Sequence, residues 1–517
     1  MHRKSIIKKT IQIGSSTLTS RFLGIIRDLL MIRYLGVGVV SDAFTVAYRM
    51  PNTLRKVFAE GALSAAFIPL FLATLKKDKK SAMSLMSIAF LIFEGALLIL
   101  CGLAAIFAPG IIAFYAPGFS VEQVAIAVPL LRVLIPLIFF LSSSALLAGA
   151  LQSIGHFFTP AFGPILLNIV FIAGLLLCKW AHLPVLYLCW FILLGGLFQF
   201  LQHLYSYFSH GLSFGPINRQ TFTTFANILG KFFWCAMSMS VTEISIIIDG
   251  QFASFLPAGT VSLLSYAHKF MAIPVGVFAV AFSTILLPYF SRISTYAPKR
   301  LNFFLYESAK IVFFVMIPCT FGLIFFSRDI FMTIFVSDSF SVEQAHIAGA
   351  ILTAFGTGLF FFALNKIILN IYYAMHETFI PGVVSAMALV VNVIFNLIFI
   401  WSLGAFGLAL ATAIAGACQT ILLLYFLRKK FGFHGYVPKF FDFAKNYLME
   451  LLAVSTIFLG LYYSLRNSIS LFLPSGVSYF LLQRIGFWMW VGPLCLLCGL
   501  LLYLWRKRFG VRLYFLD

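Results

Sequence analysis

Few charged side chains interrupt the apolar runs of this chain, and most of them lie near its N-terminus. Arg21, Arg27, Arg49, Arg55 and Lys56 fall inside the first two runs, with Asp28, Asp42 and Glu60 among them. Lys269 stands 220 positions after Arg49, at the place that corresponds to it in a repeat described below. Arg21 and Asp28 are seven residues apart and share a helix face, as do Asp42, Arg49 and Lys56, although Pro51 can break that helix. Bases outnumber acids here, so pairing cannot neutralise the set. A charge at the centre of a bilayer costs about 2.5–3.5 kcal/mol on insertion scales. Positive charge held there in excess is expected to line a water-filled cavity that receives an anion. The planar fork of Arg matches phosphate through two hydrogen bonds, so the expected ligand carries phosphate groups. The alternative is a buried network that only holds the helices together. Lys310, near the end of a run, is expected to snorkel.

The second half of the chain is polar in a different way. Where the first half holds Arg and Asp, it is largely apolar, and its polar residues are Glu243, Asp249, Asn392, Asn396 and Thr412. Asn392 and Asn396 are four apart and share a helix face. One carboxylate, two amide oxygens and a hydroxyl are expected to suit a hard cation such as Na+. The alternative is hydrogen bonding between helices.

These residues need a scaffold, and composition defines its class. Of 517 residues, 62% are hydrophobic and 10% charged, and the mean hydropathy is +1.01. Soluble domains are about half apolar and a quarter charged, so a soluble enzyme and a disordered chain are both excluded. A membrane-spanning helix needs roughly 20 apolar residues. Apolar runs bounded by Pro, Gly or charge suggest about fourteen such helices, the first two near 11–35 and 41–75 and the last two near 445–465 and 478–505. The expected fold is therefore an all-α polytopic membrane protein.

Charge sets its orientation. Basic clusters at Arg3–Lys9, Lys76–Lys80, Arg219, Arg292–Arg300, Arg428–Lys439 and Arg506–Arg512 fall on one side if both termini do. The other side holds Lys179, Arg328, Arg466 and Arg484. The positive-inside rule then puts both termini in the cytoplasm. The net charge of +20 thus reflects topology, and no nucleic-acid partner is expected.

The chain also repeats itself. Phe119-Ser-Val-Glu-Gln123 recurs as Phe340-Ser-Val-Glu-Gln344, Val57-Phe-Ala59 recurs as Val277-Phe-Ala279, and His156 matches His376. The expected organisation is a six-helix lobe over 1–220, a second six-helix lobe over 221–440, and two additional helices over 441–517. Two copies of an even number of helices point the same way, as in two-lobed secondary transporters with a ligand between the lobes. The Ser-x-x-Gln spacing inside the repeated pentapeptide reads as a helix start.

Motifs of covalent chemistry are absent: the chain has no HExxH, GxSxG or phosphate-binding P-loop. Its eight cysteines are scattered through apolar runs and read as small apolar residues, with neither a metal nor a disulfide framework. A glycosyltransferase acting on a membrane lipid would need a catalytic acid on an outer loop. The candidates, Glu122, Glu343 and Asp338, include two that belong to the repeated helix start.

The N-terminal motifs resemble those of the MurJ (MviN) lipid II flippases. They are Ser20-Arg21-Phe-Leu-Gly24-Ile-Ile-Arg27-Asp28, Ser41-Asp42-Ala43-Phe44 and Pro51-Asn52-Thr-Leu-Arg55-Lys-Val-Phe58-Ala59-Glu60-Gly61. Gln251-Phe-Ala-Ser-Phe255 and Thr284-Ile-Leu-Leu-Pro288 extend the resemblance along the whole chain. It implies a member of the multidrug and polysaccharide exporter superfamily that moves lipid II, the undecaprenyl-pyrophosphate-linked peptidoglycan precursor, from the inner to the outer leaflet of the bacterial inner membrane. It implies cavity arginines at Arg21, Arg27 and Arg55, with Asp28, Asp42 and Glu60 beside them, and a cavity base at Lys269 where Arg is usual. Ser20 and Arg49 join the expected substrate site. Asp249, Asn392, Asn396 and Thr412 form the expected Na+ site, and no other cofactor is implied. The last two helices are expected to form a groove for the polyprenyl tail. Membrane lipids and the peptidoglycan synthesis machinery are the expected partners. Two other activities fit the same class: flipping of another polyprenyl-pyrophosphate-linked polysaccharide, and cation-coupled drug export.

Overall fold

The computed structural model describes all residues except 1–2, 56–62, 218–221, 223–224, 226–242, 297, 376, 432–436 and 517. Lys56, Glu60, the first copy of the Val-Phe-Ala repeat, Arg219 and His376 therefore lie outside the described residues. The described chain is helical; beyond an isolated bridge between Ser337 and Phe340 it contains no extended pairing. Nine of its helices are long and apolar enough to cross a membrane, and one bent pair, Val342–Thr357 with Leu359–Ala374, passes the same test. The protein is thus an all-α, multi-pass membrane protein. Its backbone polar groups are satisfied within helices, as hydrocarbon requires.

The chain divides into two compact units, Met1–Ser262 and Leu263–Asp517. The first opens with the helix Arg3–Leu35. This helix ends where Gly36 takes a left-handed φ of 62°, a conformation that only glycine adopts without cost. Val39–Leu54 follows, then Leu63–Lys77. The span Lys79–Ile106 starts at Asp78, whose carboxylate accepts from the N–H groups of Lys80 and Ser81 at 3.1 and 2.8 Å. The Ser81 hydroxyl, donating to Asp78 Oδ2 at 2.6 Å, together with those N–H groups holds this exposed carboxyl below the usual carboxylate range. The span contains a π-helical turn, Phe90–Glu94. Phe158–Trp180 and Val185–Ser209 pack closely side by side. A Cβ on Gly195 would come within 3.3 Å of the Leu167 carbonyl, the kind of close approach small residues permit between membrane helices.

The repeated pentapeptides behave alike. Ser120 Oγ accepts from Gln123 N at 3.3 Å while Ser120 N donates to Gln123 Oε1 at 2.9 Å. Ser341 and Gln344 do the same at 3.2 and 2.9 Å. Glu122 and Glu343 occupy the first helical turns, where a negative charge faces the positive end of the helix dipole. Short helices, Ala108–Tyr115 and Ser327–Phe335, precede these two starts. The sequence reading leaves both in the connections between spans, because two turns carry too little periodicity to stand out as helices.

In the second unit, Phe379–Phe431 breaks at Gly404, with φ 55° and ψ −135°, between the two runs that the sequence separates. The unit closes with Val437–Phe472, Ser475–Gln483 and Phe487–Trp505. After the last helix, Val511 and Leu513 are buried against Phe443, Tyr447 and Phe314. Lys310 does not reach outward into solvent. It is buried, contacts both oxygens of Glu307 at 3.0 Å, and lies over the rings of Tyr306 and Phe443. The helix pair gave no sign of this, because an i,i+3 pair at a span end looks the same whether it faces water or a docked tail. Outside the spans, Glu377 accepts from the N–H groups of Phe379 and Ile380 and pairs with Lys430. The Lys430 ammonium holds the Glu377 carboxyl below its ordinary value. The seven described cysteines are free thiols.

Candidate functional site

In the first unit, Arg27 is the centre of a directed cluster. Its Nε and Nη2 donate to Asp28 Oδ1 at 3.2 and 3.0 Å, and its Nη1 donates to Asn168 Oδ1 at 2.9 Å. Asn168 Nδ2 in turn donates to the Ser20 carbonyl at 3.2 Å. The guanidinium also lies 5.3 Å from the centre of the Phe171 ring, a cation–π contact. Phe171 meets Tyr48 edge-on, and Tyr48 stacks on Phe44. The Arg27 and Asp28 side chains keep 21% and 28% of their exposure, so a ligand can reach them. Sequence reasoning missed Asn168 and Phe171. Asn168 was legible as a lone amide in the apolar run 159–180; Phe171 resembled its neighbours.

Arg55 donates from Nε and Nη2 to Asn52 Oδ1 at 3.3 and 3.0 Å, and Arg21 is exposed on the first helix. Glu60 lies outside the described residues. Lys269, partly buried, belongs to the second unit.

Asp42 and Arg49 do other work than their shared stripe suggests. Asp42 is 1% exposed. Its Oδ2 accepts from Gly259 N at 2.6 Å and its Oδ1 from Ser262 N at 2.7 Å. It therefore caps, from a distant segment, the start of the helix Thr260–Pro274, where N–H groups lack helical partners. Ser41 Oγ donates to Ser262 Oγ at 3.0 Å. These two serines are 221 positions apart, the spacing of the repeated pentapeptides. Nearby, Gly118 N donates to Ser254 Oγ at 2.9 Å and Gln251 Nε2 to the Phe114 carbonyl at 2.7 Å. A Cβ on Gly118 would sit 2.5 Å from the Ser254 carbonyl oxygen. Backbone and side chain thus form one hydrogen-bonded seam.

Arg49 Nη1 donates to the Ile246 carbonyl at 3.3 Å, and its charge faces Asp249, Asp42 and Glu243 together with Tyr115. A sequence reading that puts Glu243 and Asp249 in a second lobe separates them from Arg49; in the structure all three belong to the first unit. Arg49 therefore lies in the field of three of the protein's own acids while its hydrogen bond goes to a backbone carbonyl.

In the second unit, Asn392 Nδ2 donates to Thr412 Oγ1 at 3.3 Å, and Asn396 Nδ2 to Asn392 Oδ1 at 3.2 Å. A second polar group, not anticipated from sequence, joins Asn365 to the Gly416 carbonyl and Gln419, Thr420 to Asn365, and Gln419 to Ser385. Amide N–H groups thus occupy Thr412 Oγ1 and Asn392 Oδ1, the interhelical hydrogen bonding that is the alternative to a cation site.

A family model described as lipid II flippase MurJ matches residues 31–504. The chain is 30% identical over 470 residues to the lipid II flippase MurJ of Burkholderia cenocepacia, covering 88% of this chain and 89% of that one. It is 32% identical over 434 residues to the probable lipid II flippase MurJ of Rhizobium tropici, covering 81% of each. Among solved structures, a lipid II flippase MurJ in an inward closed conformation superposes with a TM-score of 0.79 at 28% identity, over 97% of this chain and all of that one. An inward-facing multidrug resistance MATE family transporter shares the fold alone, with a TM-score of 0.69 at 16% identity over 79% of this chain. With the multi-pass helical fold beside these matches, the chain belongs to the MurJ family of lipid II flippases.

Proposed function

We propose that this chain flips lipid II from the inner to the outer leaflet of the bacterial cytoplasmic membrane by alternating access, and that it does so without covalent chemistry. The observation that carries the reading is the Arg27 fork, oriented by Asp28 and Asn168 yet open to a ligand. A diphosphate needs such directed, charge-assisted donors. Arg21 and Arg55 supply further positive charge in the same unit, and Lys269 is the corresponding base of the second unit. Asp42 and the seam around Ser262 serve as the closing contact on the outer side, which follows from the charge count that puts both termini in the cytoplasm. The two C-terminal helices guide the polyprenyl tail; their outer surfaces are rich in exposed Leu, Phe and Tyr. With the interior negative, moving two negative charges outward gains about 4.6 kcal/mol per 100 mV, at ~2.3 per charge. Asn392, Asn396 and Thr412 of the second unit are the residues that would hold Na+, whose binding would favour one state of the cycle; Asp249, in the first unit, faces Arg49 instead.

The test is lipid II exposure on the outer leaflet of cells depleted of this protein and resupplied with wild type or Arg27→Ala. The expected result is that exposure falls on depletion and that only wild type restores it. Unchanged exposure while lipid II is still made would mean that the chain moves something else, and polysaccharide-lipid or drug export would then take its place.

A further inference from the structure

The flippase reading leaves one buried acid of the first unit unused. Glu94 ends the π-helical turn Phe90–Glu94, near the middle of the span Lys79–Ile106, and is 1% exposed. Its Oε1 accepts from Ser142 Oγ at 2.8 Å. Its Oε2 has no hydrogen-bond partner, and neither has Ser143 Oγ, although Ser143 is the second hydroxyl beside the same carboxyl. Ser144 donates to the Phe140 carbonyl of its own helix and takes no part. The chain neighbours of Glu94, Ile92 and Phe93, pack on an apolar cluster that contains Leu146, with Phe200 against the same cluster. No Lys, Arg or His among the described residues forms an ion pair with Glu94. The titratable group facing it is Cys101, whose thiol donates to the Ile135 carbonyl at 3.5 Å.

An ionised carboxylate held in an apolar interior by one hydroxyl is strongly unfavourable. A single proton on Oε2 removes both difficulties. The acid O–H then donates to Ser143 Oγ while Ser142 donates to Oε1, and every buried polar atom of the group is paired. The π-helical turn gives the group a means of change. Such turns recur at functional sites, and tightening this one to α-helix would rotate Glu94 away from the two serines.

We propose that Glu94, Ser142 and Ser143 form a buried proton-binding site, in which the Glu94 carboxyl carries a proton and gives it up to water when the π-helical turn rearranges during transport. The step is a plain ionisation: the O–H bond of the acid breaks, its electron pair stays on Oε2, and the proton leaves. The proposal uses the flippase reading only for its transport readout.

The full-length protein in lipid nanodiscs is titrated by infrared difference spectroscopy, comparing wild type, Glu94→Gln and Ser143→Ala. The expected result is a protonated-carboxyl band in wild type, absent in Glu94→Gln, shifted in Ser143→Ala, and reversibly lost as pH is raised while the protein stays folded. In cells, Glu94→Gln is expected to lower lipid II exposure at least tenfold. A band that persists unchanged up to unfolding, its absence from wild type at every pH, or full complementation by Glu94→Gln overturns the proposal. Should Glu94→Gln fail to accumulate, the Ser143→Ala band shift carries the assignment alone, and an unshifted band refutes it. Failure of wild type to expose lipid II would overturn the flippase reading and leave the titration result intact.

Discussion

Asp42 offers a quantitative test of the seam, because its carboxylate touches two identified backbone N–H groups. Those bonds, 2.6 Å to Gly259 N and 2.7 Å to Ser262 N, are charge-assisted and lie at a helix start. Hydrogen bonds to charged groups contribute about 1.5–3 kcal/mol each, and loss of a helix cap typically costs ~1 kcal/mol, up to ~2. Asp42→Ala leaves both donors buried and unpaired, so local opening should become easier by about 3 kcal/mol, or roughly 100-fold at 1.4 kcal/mol per decade. Asp42→Asn keeps one acceptor and turns an amide N–H toward the other donor. It should lose about half of that, roughly tenfold. Amide hydrogen exchange over residues 255–265, read by mass spectrometry, reports these N–H groups directly. The two variants should exchange faster in the order Ala, then Asn, then wild type. Unchanged protection in Asp42→Ala would refute the assignment of Asp42 as the cap of this helix, and equal effects of Ala and Asn would refute the two-bond account.

Three further outcomes follow from the same geometry. Arg27→Lys keeps the charge but cannot reach Asp28 and Asn168 with a planar fork, so lipid II exposure should fall at least tenfold in complemented cells while the thermal midpoint stays near wild type. Gly250→Ala would set a Cβ against the Arg49 guanidinium. The flexible side chain should yield, leaving stability unchanged or up to ~1 kcal/mol higher from helix propensity, while transport drops because Arg49 loses the Ile246 carbonyl. For Glu377, the folded carboxyl ionises at lower pH than the unfolded one because Lys430 is beside it. Its contribution is therefore present above about pH 4.3 and fades as pH falls through the lower folded value. Glu377→Gln should cost at most ~1 kcal/mol at neutral pH, since the lysine is half exposed, and the difference in thermal midpoint should vanish on acidification.

The class of fold was legible because apolar run length is a direct physical demand of the bilayer. The two capped starts at Ser120 and Ser341 were legible because a capping box is local. Arg21, Arg27 and Arg55 stand out in the sequence as charges within apolar runs, and the structure wires Arg27 to identified partners. That wiring was not legible. Asn168 meets Arg27 from 141 positions away, and Asp42 meets Ser262 from 220. No periodicity within one helix encodes a partner on another. The stripe that aligns Asp42 with Arg49 is correct as helix geometry but says nothing of which neighbour each side chain prefers. The placement of Glu243 and Asp249 near Arg49 was missed for the same reason.

The way Arg27 is held bears on how an anion is released. A guanidinium offers five N–H groups. Asp28 and Asn168 take three of them, which leaves two for a ligand. The pair Arg27–Asp28 is neutral overall, so the empty site bears little self-repulsion, yet the fork stays aimed. An arriving diphosphate meets that fork and also the Asp28 charge. At a separation of ~7 Å and an effective dielectric of ~20, each unit of phosphate charge is repelled by about 2 kcal/mol. Asp28 therefore orients the arginine and at the same time weakens its hold. Asp28→Asn keeps an acceptor for Arg27 and removes the repulsion. For the two charges of a diphosphate this is about 4 kcal/mol, so the expected outcome is roughly thousandfold tighter binding of lipid II to the purified protein, with lower outer-leaflet exposure in cells because release is slowed. Weaker binding together with lost exposure would mean that Asp28 acts only by aiming Arg27, and unchanged binding would mean that the diphosphate does not approach this pair.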